Sequence, residues 1–126
     1  MPIVYPTHTC FDDALEYIGE MLKNHPAAVM FEDVVLVHAI CIMPNGDQYA
    51  HAWVESKLTK TAYFFGIVKG GRVRIDVDSE EYRKELQVVE FIEYTPYEAC
   101  KENYKHGTFG PWKEKYLNLC RDKKKP

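Results

Sequence analysis

The sequence predicts an α+β domain: an antiparallel sheet of four to five strands, with a long N-terminal helix packed on one face and short C-terminal helices. Three observations predict it. Residues 34–42 form an almost unbroken run of β-branched and aliphatic residues, which is typical of a strand buried on both faces. The dipeptides Asn45-Gly46 and Gly70-Gly71 join neighbouring apolar runs as tight hairpin turns. Towards both ends of the chain, apolar residues recur at helical spacing instead.

Length and composition limit what the chain can be. Its 126 residues predict a single domain, 1–126, that buries roughly two-thirds of the surface its unfolded form exposes. Hydrophobic residues at 46% and charged residues at 28% are typical of a soluble globular protein. No run reaches the roughly 18 apolar residues of a membrane span, so we expect no membrane partner. A net charge of −3 gives no reason to expect nucleic-acid binding, and residues 121–126 are interpreted as a basic flexible tail.

The N-terminus lacks the basic start and apolar centre of a signal peptide, which predicts a cytoplasmic protein. In that compartment the four cysteines are expected to be reduced thiols. Neither a phosphate-binding glycine loop nor a dinucleotide fingerprint occurs, so no cofactor is predicted. The oligomeric state is not predicted.

Four segments have the spacing and end signals of helices. Thr9 can act as the N-cap of the first helix, and Asp12 and Asp13 suit the positive end of its dipole. Thr95 and Glu98 form the two ends of a capping box for the third. The predicted helices run from residue 9 or 10 to 24, from 79 to 86, from 96 to 106, and near 113–120.

The first hairpin predicts which side chains share a face of the sheet. If Asn45 and Gly46 are the centre of a two-residue turn, Ile40 pairs with His51, and opposed residues point the same way. A slip of one residue would move the whole set to the other face. The common face is predicted to carry Leu36, His38, Ile40, His51, Trp53 and Glu55. The remaining predicted strands are 61–68, 72–77 and 87–94.

Cys10 and His51 have the clearest chemical potential. A thiol in the first turn of a helix has its thiolate stabilised by unpaired backbone amides and by the helix dipole. Cys10 falls at the edge of the apolar face of the first predicted helix, so its thiol should point towards the domain. A nucleophilic cysteine also needs a base whose ring is held rigidly. His51, which opens a strand segment beside that helix, fits this role.

The order of these two residues resembles that of the papain-like superfamily, and more specifically of transglutaminase-like thiol proteins. The motifs are Thr-Cys-Phe-Asp-Asp-Ala around Cys10 and His-Ala-Trp-Val-Glu from His51, and the resemblance spans roughly residues 9–77. In those proteins a helix with the nucleophile packs on an antiparallel sheet that carries the base. The resemblance implies that Cys10 attacks an amide, ester or thioester carbonyl and that His51 moves the proton. The implied partner is a small-molecule, peptide or protein acyl substrate.

The residue that orients the imidazole departs from the family pattern. Those families place an Asp or Asn near the start of the next strand, where this chain reads Thr-Ala-Tyr-Phe-Phe-Gly-Ile-Val. Asp76 and Asp78 are the nearest later carboxylates, and Asp76 is taken as the candidate third catalytic residue, although it alternates away from its apolar neighbours. Glu55 shares the predicted face of His51, but four strand residues span about 13 Å, which is too far for contact.

Several of these residues also have a structural interpretation. Trp53 and Trp112 are candidates for substrate binding, and both also fit core aromatics. His38, within an apolar strand, is interpreted as a hydrogen-bonded core histidine. The other cysteines are predicted to be structural: Cys41, Cys100 and Cys120.

The preferred prediction is a small thiol hydrolase or acyltransferase. The alternative is a non-catalytic binding or inhibitory module that grips a partner with its sheet edge or with the aromatic segment 109–112. A zinc site is a further alternative, because His8, Cys10, His38 and Cys41 are soft donors. Their spacing matches no zinc pattern, and the last two alternate to opposite faces of one strand, so no metal is predicted.

Overall fold

The predicted α+β architecture is confirmed in a computed structural model that describes residues 5–6 and 10–122, with side chains for 10–120. Every pair of neighbouring strands is antiparallel, and the order is β1-β4-β3-β2-β6. β5 pairs with β4 along its whole length, so β1 and β3 share the remaining edge of β4. The strands are β1 (Tyr5–Pro6), β2 (Val34–Ile42), β3 (Gln48–Ser56), β4 (Thr61–Val68), β5 (Gly71–Asp78) and β6 (Glu90–Tyr94).

The helices begin and end where their capping residues indicate. The Asp78 carboxylate accepts the Glu81 N–H at 3.0 Å, and Thr95 and Glu98 form the predicted capping box. The proposed cap Thr9 lies outside the described residues. None of the helices in the described ranges has both the length and the apolar character that crossing a bilayer requires. The helices are α1 (Cys10–Asn24), α2 (Pro26–Phe31), α3 (Ser79–Leu86), α4 (Pro96–His106) and α5 (Glu114–Asp122).

Several elements differ from the prediction. β6 begins at Glu90 rather than at residue 87, because Gln87 closes α3 in a left-handed conformation and the Val88 N–H donates to the Arg83 carbonyl. α2 and β1 were not predicted as regular elements. α5 continues through Asp122, so residues 121 and 122, which were assigned to the flexible tail, are helical, and residues 123–126 lie outside the described ranges.

The turn of the first hairpin has three residues instead of the predicted two. The Met43 N–H donates to the Asp47 carbonyl at 2.8 Å, which leaves Pro44, Asn45 and Gly46 as the loop. Gly46 has φ +93°, as expected for the last residue of a three-residue hairpin loop. The extra residue shifts the register by one position. The predicted common face is therefore wrong for every residue of β3.

The sheet separates two apolar cores. On one face, α1 covers even-numbered residues of β2 and β3, which we call the α1-side core. On the other, α3 covers odd-numbered residues of the same strands, which we call the α3-side core. The predicted burial of β2 on both faces is confirmed, since eight of its nine residues are buried. Members of the α1-side core include Phe11, Leu15, Ile18, Leu36, Ala52, Val54 and Tyr94; those of the α3-side core include Val37, Ala39, Cys41, Trp53 and Tyr82.

Candidate active site

A gap in the sheet lies between β3 and β4. The two strands pair only over residues 54–56 and 61–63, and beyond that point β4 pairs with β1 instead. The start of α1 lies over the gap and borders a cavity of about 10 Å³. That volume is roughly what one water molecule needs. α1, β3 and β4 each contribute three residues to its wall: Cys10, Asp13 and Ala14; His51, Ala52 and Trp53; and Tyr63, Phe64 and Phe65.

Cys10 is the first residue of α1, and its side chain packs against the α1-side core. Burial raises the pKa of the Cys10 thiol to about 11, while a hydrogen bond with the backbone of Ala52 acts in the opposite direction. The neighbouring Cys120 and Asp13 raise this pKa further. The thiol is therefore protonated at neutral pH. The expected thiolate does not form in this closed arrangement, because desolvation outweighs the helix N-terminus.

His51 faces away from α1. It pairs with Ala39, so its ring lies in the α3-side core and not on the face of His38, as the two-residue turn had predicted. Nε2 of His51 forms a hydrogen bond of 2.8 Å with the hydroxyl oxygen of Tyr82. Cys10 and His51 nevertheless line the same cavity, because the gap between β3 and β4 joins the two faces. Both residues therefore border one cavity, although their side chains belong to opposite faces of the sheet.

A partly buried ion pair between α3 and β3 holds Tyr82 against His51. The next residue on α3, Arg83, donates two hydrogen bonds of 2.9 Å to the carboxylate of Glu55, which is 5% exposed. The indole N–H of Trp53 donates to the same carboxylate at 2.7 Å. Removing Arg83 would leave the buried Glu55 carboxylate without its cation, which is destabilising. Sequence reasoning missed Tyr82, since only its place on the apolar side of a short helix sets it apart.

Asp76 does not take the third catalytic position. It lies on β5 opposite Tyr63, with β4 between it and the strand of His51. Its carboxylate accepts hydrogen bonds of 2.9 and 3.1 Å from the guanidinium of Arg74. The group that holds Nε2 of His51 is the hydroxyl of Tyr82. The antiparallel β4–β5 hairpin accounts for the difference, because it carries Asp76 away from β3.

The two candidate substrate-binding tryptophans lie in different places. Trp53 lines the cavity but is fully buried. Trp112 is absent from the cavity wall and packs against His38 and Tyr94, with ring centroids 5.0 and 5.1 Å away. Its indole N–H donates to the Thr108 carbonyl at 2.9 Å. Of the pair, only Trp53 borders the cavity shared by Cys10 and His51.

His38 is a core residue, but its Nε2 lacks the hydrogen bond that was predicted. That atom is buried and has no hydrogen-bond partner within residues 10–120. Desolvation lowers the pKa of His38 to about 3, so the ring is neutral. Gly110, with φ +106°, passes so close that an added Cβ would lie 2.8 Å from Cε1 of His38. Aromatic rings complete the surroundings: Phe11, Tyr94 and Trp112.

The remaining cysteines and the zinc alternative can be placed as well. Cys41 is buried in the α3-side core, Cys120 is half-buried and Cys100 is exposed. His38 and Cys41 lie on opposite faces of β2, and His8 falls outside the described residues. In the part of the chain that the structure describes, no three His, Cys, Asp or Glu residues form a group suited to a metal.

Comparisons with known proteins do not add a family to this geometry. No family model matches the chain, and neither a curated protein nor a solved structure matches it.

Proposed function

We propose that this protein is a thiol hydrolase or acyltransferase in which Cys10 attacks an acyl carbonyl and His51 is the base. The observation that carries the proposal is the shared cavity between β3 and β4, which both residues line. The hydrogen bond between His51 and Tyr82 supports it, because a catalytic imidazole must be held in one orientation. The papain-like resemblance of the two motifs adds to this.

The raised pKa of Cys10 specifies how such a reaction begins. A neutral thiol is a poor nucleophile, so the base has to take the S–H proton as the carbon–sulfur bond forms. The imidazolium of His51 then returns this proton to the departing amine, alcohol or thiol. Water attacks the resulting acyl-enzyme in a hydrolase, and a second nucleophile attacks it in an acyltransferase. Backbone N–H groups at the start of α1 are suited to stabilising the oxyanion.

Acyl transfer to Cys10 tests the proposal directly. The protein is treated with p-nitrophenyl acetate and with an acetyl thioester, and each cysteine is examined for the acetyl group by peptide mass spectrometry. We expect acetylation of Cys10 and its loss in Cys10→Ser. Cys100→Ser is the matched control, because Cys100 is exposed and lies on α4, outside the cavity wall. Acetylation confined to Cys100, with Cys10 unmodified at all times, would contradict the proposal.

A second candidate function is a peptide-binding module that uses β6. Within the described chain β6 pairs only with β2, so its other edge is open to an added strand. A cleft of about 600 Å³ between α3 and β6 adjoins this edge. The cleft exposes Val89 and Phe91, which are 50% and 48% accessible, and Arg83 stacks on Phe91 at 4.2 Å.

Backbone amide shifts distinguish this second function from the first. Extended peptides with alternating apolar residues should shift the amides of β6, and Phe91→Asp should abolish the effect. Tyr104→Asp is a control, because Tyr104 is 92% exposed on α4, away from the cleft. Peptide shifts that are unchanged by Phe91→Asp would count against binding at β6.

A further inference from the structure

We propose that the β4–β5 hairpin is a lid over Cys10, and that a salt bridge between Arg72 and Asp13 holds it closed. The inference deepens the proposed function and rests on it for its purpose. The cavity has room for about one water molecule, whereas an acyl group and its leaving group need far more. An acyl substrate can therefore fit into the cavity beside Cys10 only if one wall of the cavity moves.

The hairpin is the wall with the weakest attachment to the sheet. Residues 61–63 of β4 pair with β3, and the rest of β4 is not paired with β3. Within the hairpin, β4 and β5 pair residue for residue up to a tight turn at Lys69 and Gly70, where φ is +50° and +79°. Such a ribbon can swing as one unit about the three residues that remain in the sheet. The two-residue strand β1 pairs with the outer part of β4, and it either moves with the hairpin or separates from it.

Two arginines of β5 connect the hairpin to α1. Arg72 Nη2 lies 3.0 Å from Asp13 Oδ1, and Arg74 Nη1 donates to the Tyr17 hydroxyl at 2.9 Å. Phe65, which forms part of the cavity wall, lies under the guanidinium of Arg72 at 4.7 Å. These contacts hold β5, and with it the wall residue Phe65, against α1.

The salt bridge is suited to opening. The Asp13 side chain is 5% exposed, but that of Arg72 is 48% exposed, so water and salt can reach the guanidinium. Because solvent and ions reach the guanidinium, its attraction to Asp13 weakens as ionic strength rises. Opening would also hydrate Cys10, and because burial is the main cause of its raised pKa, the thiol would become easier to deprotonate.

Alkylation of Cys10 measures the lid without requiring catalysis. Iodoacetamide is applied to the intact protein, and the rates at Cys10, Cys41 and Cys100 are followed by mass spectrometry. We expect Arg72→Gln to raise the rate at Cys10 about three- to fivefold, with Cys100 unchanged. In the unaltered protein, 0.5 M NaCl should raise the same rate, whereas in Arg72→Gln added salt should have little further effect.

Two controls separate lid opening from unfolding. Lys84→Gln removes a salt bridge with Glu80 on α3, away from the hairpin, and should leave all rates unchanged. Cys41 is buried in β2, so its rate reports exposure of the core. If Arg72→Gln raises the alkylation rates of both Cys10 and Cys41 because the fold has loosened, Tyr17→Phe distinguishes lid opening from loosening. It removes only the hydroxyl that accepts from Arg74 Nη1, leaves the Arg74–Asp76 pair in place, and should still raise Cys10 labelling selectively, by about twofold.

The lid is overturned if Cys10 labelling stays constant in both variants, or if it rises only in parallel with Cys41. This result is distinguishable from failure of the proposed function. If no acetyl group is transferred to Cys10 but Arg72→Gln selectively raises its alkylation, the proposed function is contradicted and the lid is supported. If Cys10 is acetylated but neither Arg72→Gln nor Tyr17→Phe changes its alkylation rate, the proposed function is supported and the lid is contradicted.

Discussion

His38 and His51 lie on neighbouring strands and are both buried, yet the sheet gives them opposite surroundings. His38 is on the same face as α1, and aromatic rings enclose it so tightly that Nε2 has no partner in the described ranges. His51 is on the other face, where Tyr82 holds its ring and the gap in the sheet gives it a place in the wall of the Cys10 cavity.

The comparison shows that a shared face is a poor guide to a shared site. His38 points to the side of the sheet that α1 covers, but it is absent from the cavity that Cys10 lines. His51 points to the opposite side and still reaches that cavity, because β4 leaves β3 beside it. The break in strand pairing, and not side-chain alternation, decides which histidine lines the cavity together with Cys10.

Removing each histidine should separate their roles most strongly. His51→Ala is expected to slow acetyl transfer to Cys10 by at least about 100-fold, because the base is lost. His38→Phe should change that rate by less than about threefold, since the new ring fills similar space and His38 moves no proton. The measurement is the rate of acetyl-Cys10 formation from p-nitrophenyl acetate. A larger loss in His38→Phe than in His51→Ala would reverse the assignment.

The next largest effect is expected in acid, where His38 should limit stability. Its folded pKa of about 3 lies below the ordinary 6.5, so the unfolded chain binds the proton more tightly. This contribution to the free energy of unfolding is complete above pH 6.5 and is lost as pH falls towards 3. The loss is about 1.4 kcal/mol per pH unit within that window.

Urea unfolding at several pH values measures this slope. The pH dependence of unaltered protein minus that of His38→Phe isolates the contribution of one group from that of the carboxylates. A difference that does not change between pH 6.5 and 4 would show that His38 is as easily protonated in the folded state as in the unfolded chain.

Tight packing around His38 predicts a somewhat smaller effect at Gly110. Gly110→Ala should destabilise the fold by about 1–3 kcal/mol more than Gly46→Ala. Both positions have positive φ, +106° and +93°, so the backbone strain is similar. Only at Gly110 does the added Cβ meet another residue, with Cε1 of His38 at 2.8 Å. Equal midpoints in urea would mean that His38 can move aside.

The smallest effect is expected at the hydroxyl that holds His51. Tyr82→Phe keeps the ring, which stacks on Phe64 at 4.7 Å, and removes the hydrogen bond. The bond contributes about 1 kcal/mol, so acetyl transfer to Cys10 should fall about fivefold with its pH profile altered. Tyr116→Phe is a comparable control, because Tyr116 is buried, bonds to Glu90 and is absent from the cavity wall. If the two variants behave alike, Tyr82 has only a structural role.

The sequence by itself determined most of the elements. The apolar, β-branched run at residues 34–42 favours a strand covered on both sides, and the capping box of Thr95 and Glu98 marks a helix start. Cys10 could be placed at the beginning of α1 because Thr9 is typical of an N-cap and apolar residues recur at helical spacing after it. These are local properties, set by residues a few positions apart.

Tertiary structure alone decided the surroundings of the candidate site. Whether a loop around Asn45 and Gly46 has two or three residues is a small local difference, yet it sends His51 to one face or the other. Tyr82 reaches His51 across 31 positions of sequence, and Asp76 is drawn away by Arg74 on its own strand. Such placements depend on how whole strands and helices pack, and a motif a few residues long does not specify that.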